Sequence, residues 1–153
     1  MQPNNNIGYL INHLAFVLSR QSDQVLQEQL GIGFSQFKIM MVLRWDARIQ
    51  QRQIAERLGQ TEASISRQIK LLHDKGLLIT RISPQNRREH ITSLTDKGEK
   101  LTEQAMLVLN NYHAPTFETL SEKQREALRE MLTTMHKATC SSDKPGSCHH
   151  PLG

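Results

Sequence analysis

The sequence predicts a mainly α-helical fold that carries one small β-hairpin. Apolar residues recur at helical spacing through most of the 153-residue chain, which indicates amphipathic helices. Two short runs rich in β-branched residues, LLITRI and HITSLT, flank the octapeptide SPQNRREH at residues 83–90. Such runs favour strands, and the proline and asparagine between them favour a turn. Because 37% of the residues are hydrophobic, the chain can form one domain with its own core.

The first helix is predicted near the amino terminus, and the second helix is predicted after two glycines. The first carries apolar residues at helical spacing, namely Ile7, Leu10, Ile11, Leu14 and Leu18. It is expected to extend to Leu30, because Gly31 and Gly33 then break the pattern. Ser35 is predicted to cap the second helix, whose sequence is QFKIMMVLRW.

Two short helices joined by a tight turn are predicted next. The first, in IQQRQIAERLG, ends at Gly59, and the second, in QTEASISRQIKLLHDKG, begins at Thr61, whose hydroxyl can cap it. In the second helix Ile65, Ile69 and Leu72 are expected to face inward, which leaves a polar outer face. This is the pattern of a helix-turn-helix, and the β-hairpin that follows it makes the fold a winged helix-turn-helix.

The remainder of the chain predicts two more helices and a tail. Pro115 is expected to separate the two helices, and the second opens with Ser121 and Gln124 in capping-box positions. The last residues are polar and aperiodic, so they are expected to form a disordered tail. The chain is thus divided into an N-terminal helical segment at 1–34, a winged helix-turn-helix lobe at 35–98, C-terminal helices at 99–138 and a tail at 139–153.

Positive charge is concentrated in the predicted helix-turn-helix and hairpin. The segment from Arg44 to His90 contains ten basic and five acidic side chains, a net charge of +5, whereas the whole chain carries +4. The helices on either side therefore contribute almost no net charge. A basic face on a motif that can enter a groove is the electrostatic pattern expected of a protein that binds double-stranded DNA.

The outward face of the second short helix supplies the candidate DNA contacts. The side chains expected on this face are Thr61, Glu62, Ala63, Ser64, Ser66, Arg67 and Lys70. The short hydroxyl side chains allow the helix to approach the floor of the major groove closely. Arg67 can donate to guanine O6 and N7 or bind a phosphate. Glu62 either accepts a hydrogen bond from cytosine N4 or only complements the helix dipole.

The tip of the hairpin supplies a second set of candidates. Arg87 is expected to enter the adjacent minor groove, where negative potential is concentrated. Arg88 is expected to bind a phosphate or to brace the loop, and Asn86 helps to shape the turn. The alternative is a solvated turn in which neither arginine contacts DNA.

The segment from Ile49 to Gly98 resembles the winged helix of the MarR (multiple antibiotic resistance regulator) family. The matching motifs are IQQRQIAERLG, SISRQIKLLHDKGLL and NRREHITSLTDKG, and the flanking helices have the order and length typical of that family. The resemblance implies a homodimer, joined through the N- and C-terminal helices, that binds a pseudo-palindromic operator. The leading hypothesis is therefore a dimeric repressor that responds to a ligand. It also implies a recognition helix from Thr61 to Leu72 and a wing from Leu77 to Thr95.

Two positions in the wing depart from the family pattern. Asn86 stands where the family usually has aspartate, so an ionic brace to a wing arginine becomes a neutral one. Thr80 stands where the family often has arginine, and the neighbouring Arg81 is therefore included among the candidate DNA contacts.

The resemblance further implies an effector, because family members commonly respond to small phenolic or other aromatic anions. Such ligands lie between the dimer helices and the DNA-binding lobe. The candidate contacts here are Tyr9, His13, Phe16, Arg20, Met40, Met41 and Arg44. The alternative is that the methionines and aromatic residues are plain core residues.

Other functions fit the sequence less well. A metal- or thiol-responsive regulator would use soft ligands in the tail, for which the candidates are Cys140, Cys148, His149 and His150. A winged helix used for protein contact would need an apolar outer face, whereas this one is polar. An enzyme is not expected, because the sequence lacks a glycine-rich phosphate loop and an HExxH pair, and no cofactor is expected. The longest apolar stretch is too short to cross a bilayer, so a cytoplasmic protein is expected.

Overall fold

The computed structural model describes residues 6–46, 49–85 and 90–140 of the chain. Within these ranges the elements follow in the order α1 (Ile7–Leu30), α2 (Phe34–Trp45), α3 (Gln51–Leu58), α4 (Glu62–Asp74), β1 (Leu78–Ile82), β2 (His90–Leu94), α5 (Asp96–Glu118) and α6 (Glu122–Cys140). The two strands pair antiparallel, from Leu78 opposite Leu94 to Ile82 opposite His90. The predicted mainly α-helical fold with one β-hairpin is confirmed.

The core of the lobe is built around α2, which packs against α1, α3, α4, α5 and β2. Met40 of α2 has no exposed surface, and the same holds for Ile54 of α3 and Ile65 of α4. Ile69 and Leu72 are also buried, so the predicted inward face of α4 is confirmed. This packing fixes α4 against the lobe and leaves its opposite face open to solvent.

The start of α2 differs from the sequence prediction. The helix begins at Phe34 with Gly33 as its cap residue, so the prediction that Ser35 is the cap is wrong. The side chain of Asp23 on α1 accepts a hydrogen bond from the Phe34 backbone N–H over 2.8 Å. An acceptor eleven residues away in sequence therefore does what a local serine was expected to do, and Ser35 lies inside the helix.

The joint between the wing and α5 is tightly packed. The Thr95 hydroxyl accepts from the Gly98 N–H over 3.1 Å and donates to the Gly76 carbonyl over 2.8 Å. The Thr95 N–H also donates to the Leu77 carbonyl over 3.0 Å. These bonds join the end of β2, the turn before β1 and the first turn of α5, and so hold the wing at a fixed angle to the lobe.

The C-terminal helices confirm one prediction and correct another. Ser121 and Gln124 form the expected reciprocal capping bonds, of 2.8 and 3.3 Å. Pro115, however, lies inside α5, which continues to Glu118, so the predicted interruption at Pro115 is wrong. Because proline has no backbone N–H, the Asn111 carbonyl lacks its helical partner. Both residues are exposed, so water can bind that carbonyl.

The last helix extends beyond its predicted end. It runs through Cys140, so the first two residues of the predicted tail are helical. Cys148, His149 and His150 lie outside the described residues. Among the described helices, none is both long and apolar enough to cross a membrane.

Candidate nucleic-acid interface

Helix α4, the predicted recognition helix, is held at its amino terminus by a side-chain cap. Thr61 precedes α4 in an extended conformation, and its hydroxyl oxygen accepts from the Ser64 backbone N–H over 3.2 Å. The predicted cap is therefore confirmed. Because this oxygen acts as an acceptor, the Thr61 hydroxyl hydrogen remains available to a partner outside the helix.

Seven residues were predicted on the outer face of α4, and six of them are exposed as expected. Those that are exposed are Thr61, Glu62, Ala63, Ser66, Arg67 and Lys70. Neither Arg67 nor Lys70 makes an ion pair or side-chain hydrogen bond with another described residue. Both cations are therefore free to bind an anionic or acceptor-rich partner.

Ser64 is the exception on this face, because it is half-buried rather than fully exposed. Its hydroxyl donates to Gln60 Oε1 over 3.3 Å. Gln60 lies in the turn between α3 and α4 and also binds Ser35 of α2. Its Nε2 donates to Ser35 Oγ over 3.0 Å, and Ser35 Oγ donates to Gln60 Oε1 over 3.4 Å. Sequence reasoning missed Gln60, although its position between a terminating glycine and a capping threonine marks it as a turn residue.

On the wing, only part of the predicted contact set is described. Arg81 is exposed on β1, opposite Ile91 of β2. The Thr80 hydroxyl lies 3.3 Å from that of Thr92, so Thr80 contributes a cross-strand hydrogen bond where the family often has arginine. Asn86, Arg87 and Arg88 lie outside the described residues.

The arginines of the lobe fall into two groups. Three are engaged within the fold: Arg44 with Glu99 and Glu103 at 3.5 and 2.7 Å, Arg52 with Glu56 at 3.1 Å, and Arg57 with Asp46 at 3.3 Å. Arg67 and Arg81 have no such acidic partner among the described residues. Of the described arginines of the lobe, the two without an acidic partner therefore lie on α4 and on the wing.

Comparisons with known proteins agree with this geometry. Residues 30–89 match the sequence profile of the MarR family. An uncharacterized HTH-type transcriptional regulator of Bacillus anthracis is 27% identical over 145 residues, which cover 92% of this chain and 97% of the relative. Over these residues the chain is similar to the MarR family, and the relative that it matches over most of its length is a helix-turn-helix regulator.

Two solved structures show what proteins with this fold have been found to bind. The transcriptional repressor CouR bound to a 23-mer DNA duplex is 26% identical, with a TM-score of 0.75 over 86% of this chain and 93% of CouR. CouR from Rhodococcus jostii RHA1 bound to p-coumaroyl-CoA is 19% identical, with a TM-score of 0.74 over 88% and 94% of the two chains. The chain is thus similar in sequence and fold to DNA-binding regulators of transcription, which agrees with the prediction that it is not an enzyme.

The effector candidates lie in different surroundings. On α1, the Tyr9 and His13 rings stack with centroids 5.8 Å apart, and Phe16 and Arg20 are also exposed. Met40 is fully buried in the core, and Met41 is partly buried against it. Arg44 binds Glu99 and Glu103 of α5, as described above. The single chain therefore gathers an aromatic surface on α1 but does not bring the seven candidates together.

Within residues 6–46, 49–85 and 90–140, no group of three or more potential metal ligands is present. Of the four tail candidates only Cys140 is described, and its Sγ lies 3.2 Å from His136 Nε2. The metal-responsive alternative therefore depends on residues outside the described ranges.

A histidine that the sequence analysis did not single out joins α1 to α5. His113 Nε2 lies 2.9 Å from the hydroxyl of Ser22, which is itself buried. His113 Nδ1 is buried and has no hydrogen-bond partner among the described residues. Burial lowers the pKa of His113 from its ordinary value of 6.5, because the charged ring would lose hydration.

Proposed function

We propose that this chain is a MarR-family regulator, a homodimeric repressor that binds a pseudo-palindromic operator and is released by a small aromatic ligand. The observation that carries the proposal is the exposed outer face of α4, on which Arg67 and Lys70 have no partner in the described protein. The polar, basic character of this face favours a nucleic-acid partner over a protein partner.

Exposed apolar surface supports the dimer. The first half of α1 carries several exposed apolar side chains, and Ile7 is 68% exposed. No residue of α6 is buried in the single chain, and Met131, Leu132 and Met135 are all exposed. Because such surface is costly in water, α1 and α6 are expected to pack against the same helices of a second copy.

A two-fold dimer would present two copies of α4 to one face of a duplex. If the two helices lie about 34–36 Å apart, each can enter a successive turn of the major groove. The operator would then be an inverted repeat that mirrors the symmetry of the protein. The repressor CouR, solved on a 23-mer duplex, supports this mode of binding.

The effector class rests on the exposed aromatic surface of α1 and on the CouR complex with p-coumaroyl-CoA. Tyr9, His13 and Phe16 would bind an aromatic ring, and Arg20 would bind a carboxylate. A ligand held between α1 and the lobe would change the separation of the two α4 helices and so weaken operator binding. Because the operator is genomic DNA, we place this function in the cytoplasm.

The test is a selection of duplexes from a random pool with the full-length protein, followed by binding measurements with a panel of aromatic acids and their thioesters. We expect an inverted repeat to be enriched and at least one aromatic compound to release it. Parallel arms with zinc or copper measure the metal-responsive alternative. Failure to enrich any inverted repeat would overturn the operator proposal, and release by metal alone would overturn the aromatic effector.

A further inference from the structure

The turn before the recognition helix determines which way the Ser64 hydroxyl can form hydrogen bonds. A serine hydroxyl has one hydrogen to donate and lone pairs with which to accept. The Ser64 hydrogen is directed at Gln60 Oε1, 3.3 Å away. With this hydrogen engaged, only the lone pairs of Ser64 remain for a partner in the groove.

Gln60 is itself held in place from two sides. Its backbone N–H donates to the Ala55 carbonyl over 2.9 Å. Its side-chain amide donates to Ser35 Oγ over 3.0 Å, which orients Oε1 toward both serine hydroxyls. Since Ser35 belongs to α2, which is anchored in the core, the acceptor that faces Ser64 is positioned by the lobe and not by α4.

We infer that Gln60 is a specificity-determining residue that makes Ser64 a hydrogen-bond acceptor toward the major groove. The inference rests on the proposed function, because it names what the α4 surface reads. In the major groove the donors are the amino groups of adenine N6 and cytosine N4, whereas guanine and thymine present acceptors at O6 and O4. Ser64 therefore favours adenine or cytosine at the base that it reaches. A phosphate oxygen only accepts, so Ser64 does not bind the DNA backbone.

The neighbouring hydroxyls are constrained differently. Thr61 Oγ1 accepts from the Ser64 N–H, so its hydrogen is free and it can donate to a phosphate. Ser66 is exposed and has no hydrogen-bond partner in the described part of the chain, so it can donate or accept. Of these three residues, only Ser64 has a hydroxyl that is restricted to accepting a hydrogen bond.

The experiment compares base preference at every position of the operator recovered by selection, for the wild type and four variants. We expect Ser64→Ala to remove a preference of about three- to tenfold for adenine or cytosine at one position of each half-site, the range of one hydrogen bond. Gln60→Met keeps the length of the side chain but frees the Ser64 hydrogen. It should abolish the same preference while leaving affinity for random duplex unchanged.

Two further variants provide controls. Gln60→Glu keeps an acceptor for the Ser64 hydroxyl, so it should keep the preference although its charge weakens binding to every duplex. Gln104→Met, at an exposed site on α5, should change neither preference nor affinity. Thermal unfolding of each variant establishes that it is folded, and if Gln60→Met does not fold, Ser64→Ala and Gln60→Glu still test the inference.

The outcomes separate the two proposals. If the wild type enriches no duplex, the proposed function fails, and the inference fails with it. If the wild type binds an operator but Ser64→Ala changes no base preference, the inference alone is overturned. It is likewise overturned if Gln60→Met retains the preference that Ser64→Ala removes, or if folded Gln60→Glu loses it.

Discussion

Gly98 lies so close to the Leu77 carbonyl that a Cβ atom at residue 98 would be 2.2 Å from that oxygen. This contact brings the first turn of α5 against the turn that leads into β1. The neighbouring Thr95 bonds to Gly76 and Gly98 reinforce it. The glycine of the sequence LTDKG is therefore required by a close backbone approach and not by its backbone angles.

Gly98→Ala should destabilise the fold by about 2 kcal/mol or more, because backbone atoms must move to admit the methyl group. Alanine has a higher helix propensity than glycine, so without the close contact the substitution would stabilise α5. A loss of stability would therefore indicate the contact. The measurement is the midpoint of chemical denaturation. Gly8→Ala is the matched control in another helix, where the added Cβ would meet only the Asn6 side chain at 3.3 Å. Equal stability of the two variants would contradict the close-contact interpretation.

Arg67→Ala should weaken operator binding by about 1–3 kcal/mol if Arg67 makes a bidentate contact to guanine. Arg67→Lys should lose most of the same energy, because an ammonium group cannot reproduce the planar fork of a guanidinium. Arg129→Ala on α6, far along the chain from the lobe and paired with Glu126, is the control. Two measurements distinguish a base contact of Arg67 from a phosphate contact. Loss of a base contact lowers the preference for the operator over other duplexes, whereas loss of a phosphate contact lowers the dependence of the affinity on salt concentration. Unchanged affinity of Arg67→Ala would remove Arg67 from the interface.

Arg44 should couple energetically to Glu103, since the two side chains join α2 to α5 over 2.7 Å. Arg44→Met and Glu103→Gln should each cost up to about 1 kcal/mol, as is typical of partly exposed pairs. The double variant should cost less than the two single costs together, and the coupling should shrink at high salt. Strictly additive costs in denaturation experiments would mean that the ion pair contributes no coupling energy.

The stability of the protein should fall as the pH drops below about 6.5 because of His113. Burial lowers the pKa of His113 in the folded chain, so the unfolded chain binds a proton first. In the window between the folded and unfolded pKa values, protonation therefore favours unfolding, and stability rises with pH. The loss of stability stops growing once the pH is below the pKa of His113 in the folded chain.

The measurement is the free energy of unfolding of wild type and His113→Gln between pH 5 and pH 8. These limits lie on either side of the ordinary histidine pKa, each roughly one to two pH units from it. The variant should show a flatter dependence in this range, since glutamine does not titrate but can still bond to Ser22. Parallel curves for wild type and His113→Gln would show that another group controls the acid response.

Several features of the site were predictable because they depend on neighbours in sequence. Thr61 caps α4 through the N–H of Ser64, three residues away. The inward positions of Ile65, Ile69 and Leu72 follow from the period of a helix. Local patterns of this kind survive in the folded chain because burial of one helix face is the main stabilisation of a short helix. The similarity to the MarR family was also predictable, since the winged-helix motifs are local.

Other features were missed or assigned incorrectly because their partners are distant in sequence. The local rule favoured Ser35 as a cap, but Asp23 of α1 binds the start of α2 and Ser35 turns to Gln60. Pro115 was expected to end a helix, yet its exposed position allows α5 to continue. The partial burial of Ser64 also depends on α2, which no pattern within α4 reveals.

By itself, the sequence determined the order of the helices, the wing, the polar face of α4 and the excess of positive charge around it, because periodicity, caps and charge are properties of contiguous residues. Only the tertiary structure decided that Gln60 engages the Ser64 hydrogen, that Gly98 touches the Leu77 carbonyl and that His113 meets Ser22. Each of these contacts joins two elements whose relative position is set by the packing of the whole core, and that position is not encoded in either element alone.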